Sequence, residues 1–67
     1  MTGRDFKYRR FKQYMTQEYA ASMVGISRYT LSGYESERVA MPITTAMRLH
    51  RLYDMSGEDI EKYIAKI

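Results

Sequence analysis

The sequence predicts an all-α domain of five short helices, and three observations carry that prediction. Apolar residues recur three and four apart along most of the 67-residue chain. Thr16, Ser27 and Ser56 each stand just before a helical run, where a side-chain oxygen can satisfy the first free amides of a helix. Residues 16–35 contain two apolar stripes with a corner between them. Ala20 and Val24 are four apart on one side, and Leu31 and Tyr34 are three apart on the other. Gly25 lies between the stripes, where the chain leaves a helix through a left-handed residue that glycine adopts at little cost.

A chain of this length makes one small domain, residues 1–67, which buries only about 60% of its unfolded surface. There is no cysteine, so disulfide staples and thiolate metal sites are excluded and a reducing cytosol is permitted. No run approaches the roughly 20 apolar residues a bilayer crossing needs, and the N-terminus lacks a signal-peptide apolar region. A soluble intracellular protein is expected. The formal net charge is only +3, but it is unevenly placed. Arg4, Lys7, Arg9, Arg10 and Lys12 face one carboxylate, Asp5, in the first twelve residues. Asp54, Glu58, Asp59 and Glu61 outnumber Lys62 and Lys66 at the other end. A basic front with an acidic tail suits a polyanion approached from one side.

Residues 1–3 are expected to be loose. A first helix is expected from about Arg4 to Tyr14, with Asp5 favourably placed in its first turn. Phe6, Phe11 and Met15 are expected to pack under the following pair of helices, leaving Lys7, Arg9 and Lys12 solvated or on phosphate. The alternative, a basic amphipathic stretch on a membrane surface, would use up an apolar face that the core needs. The second and third helices flank Gly25, and small Ala21 lets them cross at close range. Residues 36–44 break the helical pattern, and Pro42 turns Met41 toward an extended conformation. A fourth helix is expected from Thr44 or Thr45 to Tyr53, with Ala46, Leu49 and Tyr53 inward. His50, without a second histidine, reads as a packed side chain rather than a metal ligand. A fifth helix begins after Ser56, with Asp59 completing an imperfect capping box.

Two short helices about a glycine corner form the helix-turn-helix pattern, in which the first braces the backbone and the second enters the major groove. Here the chain resembles the Cro and phage-repressor (C1-type) family. Thr16, Gln17, Glu18, Ala21, Gly25, Ile26, Ser27, Arg28, Thr30, Leu31, Ser32, Tyr34 and Glu35 match its core in register. The likeness extends to Pro42 and to LYDMSGEDI near the end. It implies a five-helix lambda-repressor-like DNA-binding domain with its helix-turn-helix at about residues 17–36, acting in the cytoplasm of a bacterium or phage-infected cell. It also implies an ion pair between Arg10 and Glu35 that sets the angle of the recognition helix. Two departures stand out. Gly33 replaces a long polar side chain, and Glu37 stands where related domains carry glycine, in a loop one residue longer.

On a helix over residues 28–36, Leu31 and Tyr34 point inward with Ile26, whereas Arg28, Tyr29, Ser32 and Gly33 point outward. That outward set is the candidate base-reading group. Arg28 can present two donors to guanine N7 and O6; the alternative is a cap or a phosphate contact. Tyr29 can press on a thymine methyl or give its hydroxyl to phosphate, Ser32 discriminates weakly, and Gly33 lets the backbone approach. Gln17, at a helix N-terminus, is the leading phosphate contact, with Thr16, Ser27, Ser36, Arg38 and Lys7 as further backbone candidates.

One such module buries too little to be selective, so a homodimer on double-stranded DNA is expected, its recognition helices about 34 Å apart. Ile60, Tyr63, Ile64 and Ile67 are its candidate interface, with Leu52 or Met47 from the fourth helix as candidate additions; the alternative is that they complete the monomer core. The expected function is a sequence-specific transcriptional regulator of Cro or repressor type, without cofactor, metal or small-molecule ligand. A restriction–modification controller or an antitoxin fits the same residues. A protein-interaction adaptor on the same scaffold is the alternative class. An enzyme is not expected, given one histidine, no cysteine and no Gly-rich phosphate loop.

Overall fold

The computed structural model describes residues 2–54, which form four helices with no strand among them. Helix α1 spans Gly3–Lys12, α2 Gln17–Val24, α3 Arg28–Glu35 and α4 Ile43–Leu52. The expected fifth helix, with Ile60, Tyr63, Ile64 and Ile67, lies outside the described residues.

Helix α1 starts earlier than the periodicity indicates, because Thr2 caps it. The Thr2 hydroxyl accepts from the Asp5 amide, and the Asp5 carboxylate accepts from the Thr2 amide at 2.7 Å. That reciprocal capping box orders Thr2 and Gly3, which were expected to be loose. Gly3 is buried against the Tyr34 carbonyl at the end of α3, so closely that any side chain would collide with it. Two of the predicted caps operate in turn. Thr16 accepts from the Tyr19 amide at the start of α2, and Ser27 from the Thr30 amide at the start of α3, each at 3.0 Å. Gly25 closes α2 with φ 76°, the left-handed conformation expected of it. Helix α4 begins at Ile43, one residue before the expected start, with extended Pro42 ahead of it.

Phe6, Ala20, Ala21, Val24, Leu31, Met41, Ala46, Leu49 and Tyr53 make the core, with Met15, Ile26, Tyr34, Ile43 and Leu52 packed around it. Helix α3 packs on α1 and α2, and α2 packs on α4. One expected core residue is outside: Phe11 is 55% exposed. Phe6 and Arg10, four apart, define the inward face of α1, and Phe11 lies about 140° around the helix from Phe6. Its ring centroid instead lies 4.6 Å from the Arg10 guanidinium carbon, a cation–π contact with that buried cation.

Two side chains stitch the ends of helices together. Gln13 donates to the Tyr53 carbonyl at 3.3 Å, and Arg48 donates to the Val24 carbonyl at the end of α2, also at 3.3 Å.

Candidate nucleic-acid interface

Helix α3 is held from behind by a buried polar cluster. Arg10 Nε donates to Glu35 Oε2 at 2.8 Å and Arg10 Nη2 to Oε1 at 3.1 Å, a bidentate pair in which both residues are at most 4% exposed. The third guanidinium nitrogen, Nη1, donates to the Met15 carbonyl at 2.7 Å. Gln17 Nε2 donates to Glu35 Oε1 at 2.9 Å, so the carboxylate ties α1, α2 and α3 together. Tyr53 packs nearby with its hydroxyl buried and, among the described residues, without a hydrogen-bond partner. Burial, and then the Glu35 charge, push that phenol pKa above its ordinary value, against a smaller opposing effect of Arg10.

This clamp fixes the C-terminal end of α3 and leaves its first turn free. Arg28, Tyr29 and Thr30 are all exposed. Tyr29 is 78% exposed, and the Arg28 guanidinium lies 5.6 Å from its ring centroid. The Thr30 hydroxyl shares a 2.9 Å hydrogen bond with Ser27. Ser32 is half-buried, and Leu31 is fully buried beneath.

Gly33 departs from the outward placement expected of it. It is buried, because the chain beyond α3 folds back over it. The Arg38 and Val39 amides both donate to the Gly33 carbonyl, at 3.0 and 3.3 Å. The Val39 side chain consequently stands 3.5 Å from where a Gly33 Cβ would be. Glu37 makes the turn with φ 63°, a left-handed conformation that glycine adopts at the least cost.

The backbone candidates are distributed around the first turns of α2 and α3 and along the loop. Thr16 and Ser27 are exposed, with their hydroxyls already capping helices. Gln17 is half-buried, and one of the two N–H donors of its side-chain amide goes to Glu35. Ser36 donates to the Gly33 carbonyl at 3.3 Å and accepts from Arg38 Nε at 3.0 Å. Arg38 is exposed. Lys7 is exposed on α1, its ammonium 5.7 Å from the Phe11 ring centroid. Arg4 pairs with Glu37 at 3.3 Å on the surface.

Sequence reasoning missed Val39 and Thr30, which border the same surface as Tyr29. The available signal was a β-branched apolar residue, Val39, in a loop that follows a helix with no side chain at position 33. Among the described residues no group of three or more metal-ligating side chains comes together, and no helix is long and apolar enough to cross a membrane.

The helix-turn-helix family model matches residues 6–60. No curated protein and no solved structure matches the chain. The chain belongs to the Cro/C1-type helix-turn-helix family, a family of double-stranded-DNA-binding regulators.

Proposed function

We propose that this family member is a sequence-specific regulator of Cro or repressor type, binding a two-fold symmetric operator as a homodimer. Helix α3 lies in the major groove, with Arg28 on guanine N7 and O6 and Tyr29 beside it. The observation that carries this reading is the contrast along α3: its C-terminal end is locked by Glu35, while Arg28 and Tyr29 project from its first turn. A reading helix needs that division, because base discrimination depends on donors held at a fixed height and angle above the base edges. The first amides of α2 and α3 lack intrahelical partners and present a positive dipole end, which attracts phosphate. Thr16, Ser27, Arg38 and Lys7 supplement them, and Gln17 acts mainly by holding Glu35. With two or three phosphates neutralised per protomer, the dimer has a log–log salt slope of roughly −4 to −5.

Selection of bound duplexes from a random pool tests this reading. The expected outcome is a symmetric site with half-sites about one helical turn apart. Arg28→Ala then loses discrimination at one base pair per half-site, worth about 1–3 kcal/mol. Equal weakening on every sequence would reduce Arg28 to a phosphate contact. A protein that shows no salt-sensitive binding to duplex DNA would be an adaptor instead.

A further inference from the structure

We infer that Val39, a loop residue, reads the C5-methyl group of one thymine in each half-site, with the Tyr29 ring as the opposite wall. This rests on the reading of α3 as the groove-entering helix. Positions 29 and 33 are four apart and share a face of α3. At 33 that face bears no side chain of its own, and Val39 is laid over it by the two amide bonds to the Gly33 carbonyl. The loop is anchored at its other end by Met41, buried in the core, so the position of Val39 is set from both sides.

Val39 does not serve the core. It is 56% exposed and adjoins an open hollow bordered by Tyr29, Thr30, Gly33, Tyr34 and Arg38. The Val39 isopropyl group and the carbon face of the Tyr29 ring, both exposed, offer nothing to a hydrogen-bonding base edge. They do match the one apolar group in the major groove, the thymine methyl. Arg38, held by Ser36 at the rim, is placed to meet the flanking phosphate and hold the hollow against the groove. The chain has thus moved a reading function from α3 to the loop: glycine at 33 makes room, and valine at 39 fills it.

The test uses the full chain and the duplex it selects from a random pool. Each thymine is replaced in turn by uracil, which differs only by the missing methyl. Dissociation constants are measured for the native protein and for Val39→Ser, whose fold is checked by its melting curve. The expected result is one thymine per half-site at which uracil weakens native binding about fourfold, the effect of one buried methyl. At that position Val39→Ser binds thymine and uracil alike. If every uracil penalty is the same for both proteins, Val39 touches only sugar and phosphate and the inference fails, while the selected site leaves the proposed function standing. If no site is selected at all, the function itself falls, and this inference with it.

Discussion

Removing the Glu35 carboxylate should come close to unfolding the domain. Glu35→Ala leaves the Arg10 guanidinium 4% exposed, with the Met15 carbonyl as its only remaining hydrogen-bond acceptor of those described above. It also strips the acceptor from Gln17. Breaking a buried pair by deleting one partner costs about 3–5 kcal/mol, because an uncompensated charge stays behind. Domains are stable by roughly 0.05–0.15 kcal/mol per residue, so a chain of this size has on the order of 3–10 kcal/mol in total. Urea and thermal unfolding followed by circular dichroism should therefore show a Tm at least about 12 °C lower, at 4–8 °C per kcal/mol. The paired replacement Arg10→Met with Glu35→Leu removes both charges and should recover most of the loss. A Glu35→Ala protein within about 1 kcal/mol of the native one, as for an exposed pair, would refute the argument.

Four further perturbations probe the surrounding structure. Gly3→Ala drives a methyl into the Tyr34 carbonyl and should cost about 1–3 kcal/mol, read as a lowered Tm; an unchanged Tm would mean α1 and α3 do not approach as described. Glu37→Gly relieves left-handed strain of about 1–2 kcal/mol while losing only the exposed Arg4 pair, so Tm should rise by several degrees. Gly25→Ala is its mirror: a Cβ there meets nothing within 4 Å, so the loss of about 1–2 kcal/mol measures backbone strain alone. Tyr53→Phe should be near neutral at pH 7, since the hydroxyl it removes has no partner among the described residues. The raised phenol pKa gives a pH signature. Below about pH 10 both folded and unfolded states keep the proton; above it the unfolded chain loses the proton first, so native stability falls by up to about 1.4 kcal/mol per pH unit. Tyr53→Phe should lack that component between about pH 10 and 11.5, and parallel curves for the two proteins would contradict it.

The helix-turn-helix corner was legible because its signals are local. Thr16, Ser27 and Gly25 act within a turn of their own positions, and an i, i+4 or i, i+3 apolar pair sits on each side. The bond between Arg10 and Glu35 spans 25 positions, and no periodicity links them; only likeness to a family brought them together in the sequence reading. Phe11 is apolar, but its angle about the α1 axis, about 140° from Phe6, keeps it off the core face, and hydrophobicity alone does not carry that angle. Gly33 was misplaced for a different reason. Its burial comes from the Gly33 carbonyl accepting two amides of the following loop, a backbone feature that side-chain spacing does not encode. Glu37 shows the same blindness in reverse, since a left-handed glutamate has no sequence signature of its own.

Methylation interference on the selected duplex tests the central claim most directly, because guanine N7 lies in the major groove and adenine N3 in the minor groove. Insertion of α3 predicts that N7 methylation at one guanine per half-site abolishes binding by the native protein, that the positions repeat about one turn apart, and that Arg28→Ala loses this sensitivity. Interference confined to adenine N3, or N7 sensitivity unchanged in Arg28→Ala, would contradict it.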